Sequence, residues 1–270
     1  MESAIGGIDR VFDSRDVITE VSPNDAMYRG DPEWYFQLGA SAVENIGLGM
    51  LATRHTGFLR ILDMASGHGR VLRALKAAFP GAHLTACDID EDGVDFCARV
   101  LGATPVVSRE DPVEIDLDGP YDLIWCGSLL THFDADRWPG FLSLFASQLS
   151  DFGLLVFTTH GRFIAEQAIR GRTFGLAEYA VGALLSAYRR KGFGFAAYEG
   201  ELADRVGTSG SYGISLSSPG WVFEQVQGEP GMLVVSYAER SWGGHDVVIC
   251  MREPAPGLGA ERVMPDPALT

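Results

Sequence analysis

The sequence LRILDMASGHGRVL occupies residues 59–72. Its first part, Leu59 to Met64, is a short apolar run of the kind that forms a buried strand, and the small residues Ala65 to Gly69 favour a tight turn. Apolar side chains then recur at helical spacing from Val71 to Phe79, and Pro80-Gly81 ends this predicted helix. The turn is therefore expected to bring the backbone close to a ligand, and the amino terminus of the helix favours an anionic group there.

Short strands and longer helices alternate after this segment. Strands of about five residues separated by helices of about ten or more are typical of right-handed βαβ units around a parallel sheet. We therefore predict an α/β fold with a doubly wound, mostly parallel sheet. The further strands are predicted at 83–87, 104–107, 121–126 and 154–158, and the helices at 91–100 and 137–149.

A long connection follows the fifth strand. Two helical patterns, Arg162 to Arg170 and Leu176 to Arg190, precede the next β-like segment, Tyr212 to Leu216. This connection exceeds an ordinary crossover, so we predict a helical cap inserted after strand five. Gly231 to Ala238 and His245 to Met251 are predicted as a closing hairpin. The predicted units are an N-terminal arm and helix (1–54), a ligand-binding core (55–160), the cap (161–211), closing strands of the core (212–253) and a disordered tail (254–270).

The chain of 270 residues is acidic, with 36 Asp and Glu against 21 Lys and Arg and a formal net charge of -15. No run of basic residues offers a stripe for a phosphate backbone, which argues against nucleic acid and anionic membranes as partners. No stretch approaches the roughly 18 apolar residues of a spanning helix, so we expect a cytoplasmic protein. The four cysteines form no C-x-x-C pair and are predicted to be reduced structural thiols, and no metal site is predicted. The sequence leaves the oligomeric state open.

A carboxylate, Asp88, ends the second predicted strand nineteen residues after Gly69. A carboxylate in this place accepts hydrogen bonds from two ribose hydroxyls, so the turn and Asp88 together indicate a nucleoside cofactor. Leu72 stands where the dinucleotide fingerprint has its third glycine, which disfavours a pyrophosphate and with it an NAD-dependent dehydrogenase. Asp63, four residues before Gly67, suits an ammonium group and would repel phosphate.

The segment Ile61 to Gly69 resembles the first motif of the class I S-adenosylmethionine-dependent methyltransferases, which is an apolar strand, an acid and then small residues ending in G-x-G. Ala65 departs from the family, which most often has glycine there, so slightly less room exists beside the methionine moiety. Residues 121–133 and 149–159 resemble the family's motifs at strands four and five, and the resemblance covers about residues 55–160. It implies a Rossmann-like fold, S-adenosylmethionine as cofactor, and O- or N-methylation of a small-molecule acceptor.

The same resemblance implies the cofactor contacts. Asp88 would bind the ribose and Ile89 would pack on the adenine, while Ser108, Glu110 and Asp111 remain open alternatives beside the adenine amino group. The predicted cofactor-binding residues are Asp63, Ala65, Ser66, Gly67, Gly69, Asp88, Ile89, Ser108, Glu110 and Cys126.

Methyl transfer from a sulfonium is an in-line displacement, so the protein mainly has to align donor and acceptor. A hydroxyl or amine acceptor must also lose a proton, and histidine titrates in the right range for a base. The carboxyl ends of strands four and five face the ligand crevice in such sheets, so His132 and His160 are the predicted catalytic residues. His245 and Tyr212 are further candidates for the acceptor site.

Each of these features also has a purely structural interpretation. The turn from Ala65 to Gly69 could be a tight corner, Asp88 could cap the helix that begins near Asp90, and His132 and His160 could be packing or loop histidines. The alternative functions are a catalytically silent regulatory protein that binds S-adenosylmethionine and a fold-mate that uses the same cofactor for a different transfer. The acceptor stays open between a sugar, a lipid, a polyketide-like compound and a protein.

Overall fold

The computed structural model describes residues 16–200 and 212–254. Residues 1–15 of the predicted arm, residues 201–211 of the predicted cap and the predicted tail from residue 255 lie outside the described residues. The helices are α1 (Pro32–Thr53), α2 (Leu72–Ala78), α3 (Glu91–Phe96), α4 (Trp138–Gln148), α5 (Arg162–Ile169), α6 (Glu178–Lys191) and α7 (Pro219–Gly228). The strands are β1 (Arg60–Met64), β2 (His83–Asp88), β3 (Thr104–Val107), β4 (Tyr121–Cys126), β5 (Leu149–Thr159), β6 (Phe193–Ala197), β7 (Gly213–Ser217), β8 (Met232–Trp242) and β9 (His245–Arg252).

The central sheet has seven strands in the order β3-β2-β1-β4-β5-β9-β8. Strands β1 to β5 pair in parallel, and β9 lies antiparallel between β5 and β8. The predicted doubly wound, mostly parallel Rossmann-like sheet is therefore confirmed. The closing hairpin that we predicted is also present as β8 and β9.

Both faces of this sheet are covered by helices, because the strand side chains alternate between two apolar clusters. Ile61 of β1 packs into a cluster with residues of α1 and α2, whereas Leu62 and Met64 pack into a second cluster with residues of α4 and α7. All four cysteines are free and buried, as expected for structural thiols. Among the described helices, none combines the length and the apolar character needed to cross a membrane.

The cap follows β5 and contains the two predicted helices, α5 and α6, together with a two-stranded antiparallel sheet of β6 and β7. The prediction that residues 212–216 return to the core sheet is therefore wrong. Two physical reasons explain the difference. The edge of β5 is taken by β9, which pairs along its whole second half from Leu154 to Thr159. Gly213 also lets β7 approach β6 closely, since a Cβ there would lie 2.0 Å from the carbonyl oxygen of Ala196.

Candidate active site

The turn between β1 and α2 is built from left-handed residues. Ala65, Gly67 and Gly69 have φ values of 63°, 49° and 78°. The backbone N–H groups of Ala65 and Ser66 donate to the carbonyl oxygen of Cys87 at 2.8 and 3.2 Å, which ties the turn to the end of β2. A Cβ at Gly67 would meet nothing within 4 Å, whereas a Cβ at Gly69 would lie 2.5 Å from Cδ1 of Leu101. Gly67 therefore lies where a ligand can approach, and Gly69 serves the packing of the turn.

Asp88 joins this turn to the start of α3. Its Oδ2 accepts the N–H of Gly67 at 2.7 Å and its Oδ1 accepts the N–H of Asp90 at 2.9 Å. Burial raises the pKa of this carboxyl, although the two N–H groups oppose the shift. Each oxygen of a carboxylate can accept a second hydrogen bond. Asp88 can therefore hold the start of α3 and still accept hydrogen bonds from a ligand.

A cleft of about 650 Å³, its open mouth included, lies beside Asp88 at the carboxyl ends of β1, β2 and β4. Ile89 is 54% exposed there and offers an apolar surface to a flat ring. Ser108 and Glu110 line the cleft, but Asp111 does not, because its Oδ1 accepts the N–H of Val113 at 3.0 Å and caps a short 3-10 turn. The remaining lining residues are Met64, Ala65, Arg109, Ser128, Leu129, Phe133, Arg137, Phe141 and Tyr212.

Asp63 lies in a smaller cavity of about 230 Å³, which Ser66, Arg70 and Gly127 also line. Its side chain is 2% exposed, and Oδ2 has no hydrogen-bond partner within the described ranges. Burial, and then the charge of Asp88, raise the pKa of Asp63 to about 8, against the opposing cation of Arg70. A buried carboxyl oxygen that lacks a partner is costly. The cavity is therefore suited to a cationic group of a ligand.

A second cavity, of about 1410 Å³ with its open mouth, adjoins the cleft and shares Ser128 and Tyr212 with it. Ser128 follows β4 and holds a left-handed φ of 62°. The other lining residues come from the segment before α1, from α1, from the β1–α2 turn, from the loops after β4 and β5, from the cap, and from the ends of β8 and β9 with the turn between them. They are Met27, Arg29, Trp34, Leu38, Arg70, His132, His160, Arg172, Phe174, Tyr198, Ile214, Trp242, Gly243 and His245.

A hydrogen-bonded chain runs through two histidines of this cavity. Nδ1 of His160 lies 3.2 Å from the carbonyl oxygen of Ser215, which can only accept, so Nδ1 carries the proton and Nε2 accepts. Nε2 of His245 lies 3.2 Å from that atom and donates to it, so Nδ1 of His245 accepts from the hydroxyl of Thr158 at 3.3 Å. Thr158 Oγ1 itself accepts the N–H of Ser128 at 2.8 Å. Both ring nitrogens of His160 and of His245 are thus engaged.

His132 differs from its two neighbours. Its Nδ1 donates to the carbonyl oxygen of Gly213 at 2.7 Å, so Nε2 carries the lone pair, and no partner for Nε2 exists among the residues that the structure describes. The ring stacks on Tyr212 with centroids 4.6 Å apart.

Burial lowers the pKa of His132, and it lowers that of His245 to about 3. Burial and then the charge of His245 lower the pKa of His160 well below its usual range. All three rings are therefore neutral at pH 7, and His132 keeps a free acceptor nitrogen.

Seven of the ten predicted cofactor-binding residues line the cleft or the Asp63 cavity. Gly67 and Gly69 belong to the adjoining turn but line neither cavity, and Cys126 lies away from both. Cys126 is fully buried in the cluster beneath α4, because alternation along β4 turns its side chain away from the clefts. Sequence reasoning missed Arg70 and Trp242, which line both the Asp63 cavity and the second cavity. The arginine directly after G-x-G was visible in the sequence, but Trp242 reaches the site only through the pairing of β8 with β9.

Residues 61–153 match the family model of a methyltransferase domain. Among solved structures, Streptomyces venezuelae DesVI is 16% identical with a TM-score of 0.57, over 87% of this chain and 100% of that one. A Burkholderia thailandensis 1,6-didemethyltoxoflavin-N1-methyltransferase is 12% identical with a TM-score of 0.54, over 84% and 81% of the two chains. An amino pentose methyltransferase from Micromonospora echinaspora, CalS10, is 14% identical with a TM-score of 0.53, over 86% and 98%.

These structural similarities concern the fold, since the identities are low. A comparison with curated protein sequences gives no match. The match of residues 61–153 covers β1 to the first half of β5, which are the elements that build the cleft beside Asp88. Residues 61–153 are therefore a methyltransferase domain, and the sheet around it has the fold of S-adenosylmethionine-dependent methyltransferases.

Proposed function

We propose that this methyltransferase methylates an oxygen or nitrogen atom of a small-molecule acceptor, with His132 as the base. The observation that carries the proposal is the junction of two cavities. The cleft beside Asp88 and the second cavity share Ser128 and Tyr212, and the free Nε2 of His132 belongs to a ring stacked on Tyr212. A donor in the first cavity and an acceptor in the second would therefore meet beside a neutral histidine.

The residues of the cleft fit the cofactor of the family. S-adenosylmethionine, when bound, supplies a methyl group on a sulfonium, which is already activated for displacement. Asp63, whose Oδ2 lacks a partner among the described residues, would pair with the ammonium group, and Arg70 beside it would face the carboxylate. Asp88 would accept the ribose hydroxyls, and Ile89 would pack on the adenine. Ser108 and Glu110 both line the cleft and would meet the adenine edge, and Gly67 leaves space for the ligand.

Alignment is the main contribution of such a site. Holding two reactants at near-attack distance can lower a barrier by roughly 7 to 11 kcal/mol. The N–H of Ser128 is bound by Thr158, and Thr158 is bound by His245, so the junction rests on a fixed hydrogen-bond chain. In this proposal His160 and His245 are positioning residues, because their ring nitrogens are engaged.

His132 would accept the proton of the acceptor at Nε2. Its Nδ1–H bond to Gly213 fixes the tautomer, and the lowered pKa keeps the ring neutral at pH 7. A positioned base adds roughly 10²- to 10⁴-fold to the rate. The small-molecule part of the proposal is supported by the Burkholderia and Micromonospora proteins, whose names give a didemethyltoxoflavin and an amino pentose as acceptors.

Calorimetric titration with S-adenosylhomocysteine tests the cofactor site. Wild-type protein should bind it, Asp88→Ala should lose binding, and the control Glu91→Ala should retain it, because Glu91 is exposed and does not line the cleft. Thermal unfolding of the Asp88 variant checks that the turn still folds without its carboxylate. Equal binding by all three proteins would contradict the assignment of Asp88.

Turnover tests the base. With an acceptor found by screening for conversion of S-adenosylmethionine into S-adenosylhomocysteine, His132→Ala should lose roughly 10²- to 10⁴-fold in kcat. His160→Ala should lose less than about tenfold, because a positioning residue acts only through its neighbours. A larger loss in His160→Ala would reverse the two roles. Cofactor binding without turnover of any small acceptor would favour the regulatory protein instead.

A further inference from the structure

Three arginines line the second cavity, which is unusual for a chain with a formal net charge of -15. Arg29 comes from the segment before α1, Arg70 follows the β1–α2 turn, and Arg172 lies in the loop after α5. No Asp or Glu is among the residues of 16–200 and 212–254 that line this cavity. The acceptor side of the site is therefore locally basic.

These cations are also uncompensated by ion pairs. Within the described parts of the chain, none of the three guanidinium groups lies within 4.0 Å of a carboxylate oxygen. Arg29 and Arg172 are exposed at the rim, whereas Arg70 is partly buried. Burial lowers the pKa of Arg70 and the cation of Arg29 adds to this effect, against the opposing charges of Tyr35, Asp25 and Asp63. Arg29 and Arg70 thus repel each other across the cavity.

Aromatic side chains form much of the remaining wall. They belong to Trp34, Phe174, Tyr198, Tyr212 and Trp242. The guanidinium of Arg172 lies 5.4 Å from the ring centroid of Phe174, which orients the cation beside an apolar face. Planar guanidinium groups bind carboxylates and phosphates through paired N–H donors, and aromatic walls suit a flat apolar ligand.

We propose that the methyl acceptor carries a carboxylate or phosphate on an aromatic body, and that Arg29 and Arg172 bind this anionic group. The inference rests on the proposed function, because it assigns the acceptor of that same site. Arg70 also lines the cavity that contains Asp63, so a change there would disturb the cofactor as well. Arg29 and Arg172 line only the acceptor cavity, and their exposure makes substitution harmless to the fold.

The test compares aromatic ligands with and without an anionic group. Protein saturated with S-adenosylhomocysteine is titrated with 4-hydroxybenzoate, 4-hydroxybenzamide, phenyl phosphate and phenol, and binding is followed by tryptophan fluorescence, since Trp34 and Trp242 line the cavity. Wild-type protein should bind at least one anion about tenfold more tightly than its neutral partner. The carboxylate and phosphate pairs identify which anion the arginines prefer. Added salt should weaken this preference, because two of the cations are exposed.

The double variant Arg29→Gln/Arg172→Gln should lose the preference to within about twofold. Arg189→Gln is the matched control, because Arg189 is exposed on α6 and lines neither cavity. Equal affinity for charged and neutral partners in the wild type, absence of binding by all four compounds, or a preference that survives in the double variant would overturn the proposal. Normal binding of S-adenosylhomocysteine in those samples would leave the proposed function intact, whereas its loss in the wild type would contradict the proposed function itself.

Discussion

Replacing Asp63 with asparagine keeps the shape of a side chain that is 2% exposed and removes its ionisable group. The pKa of this carboxyl is raised from 3.8 to about 8, first by burial and then by Asp88. When the pKa of a carboxyl is higher in the folded than in the unfolded protein, its stabilising contribution is fully present below the unfolded-state pKa. This contribution is lost as the pH rises through the folded-state pKa. Wild-type protein should therefore lose stability relative to Asp63→Asn between about pH 4 and pH 8.

The size of the effect follows from the shift. One pKa unit corresponds to about 1.4 kcal/mol, so the difference in free energy of unfolding should grow by about that amount for each pH unit in this window. Binding should show the opposite trend, because the ammonium group of S-adenosylhomocysteine needs the carboxylate form of Asp63. Wild-type affinity should then rise about tenfold per pH unit up to about pH 8, with release of about one proton at pH 7. Asp63→Asn should bind more weakly, with no such release.

Calorimetry in two buffers of different ionisation enthalpy, between pH 6 and pH 9, measures affinity and proton release together. Thermal unfolding of the ligand-free proteins over the same range measures the stability difference. Glu91→Gln serves as the control, because Glu91 is an exposed carboxyl in the first turn of α3. Constant wild-type affinity between pH 6 and pH 8 without proton release would refute the reasoning, as would equally tight binding by Asp63→Asn.

Three further outcomes are expected. Ala65→Gly should raise the free energy of unfolding by about 1 kcal/mol, because Ala65 holds a φ of 63°, and a lower melting temperature would contradict this. Gly69→Ala should lower the free energy of unfolding, measured in urea, by roughly 2 to 3 kcal/mol. The added Cβ would lie 2.5 Å from Leu101 at a residue with a φ of 78°. Unchanged stability would show that the turn relaxes freely. At saturating cofactor, kcat should be constant above about pH 6.5 and fall only on acidification, because burial lowers the pKa of His132. A midpoint of the pH profile between pH 7 and pH 8 would exclude His132 as the base.

Local patterns were sufficient to predict the sheet and the place of its ligand edge. The proximity of Asp88 to the turn from Ala65 to Gly69 could be predicted, because the carboxyl ends of neighbouring parallel strands meet at one edge of the sheet. The position of Cys126 was misjudged within a correctly predicted strand. Its neighbour Gly127 lines the Asp63 cavity, so a shift of one residue along β4 separates the core from the site.

Long-range pairing is what the sequence could not supply. Residues 212–216 were predicted as a strand, which the structure has as Gly213–Ser217. Nothing local specifies that the partner of this strand is Phe193–Ala197 and not the core sheet. Strand pairing depends on which edges are available once the whole chain has folded. Here β9 occupies the edge of β5, and the small side chain of Gly213 permits the close approach of β6.

Strand β7, whose pairing was wrongly predicted, also determines which histidine has a free ring nitrogen. The carbonyl oxygens of Gly213 and Ser215 belong to β7, and they fix the tautomers of His132 and His160 from 81 and 55 residues away along the chain. Nε2 of His160 then accepts a hydrogen bond from His245, whereas Nε2 of His132, whose ring stacks on Tyr212, stays free. From the sequence alone the two histidines were equivalent, because each follows the end of a core strand. In the proposed function the cap would therefore do more than cover the acceptor, because its carbonyl groups set the hydrogen bonds of two rings and leave Nε2 of His132 free.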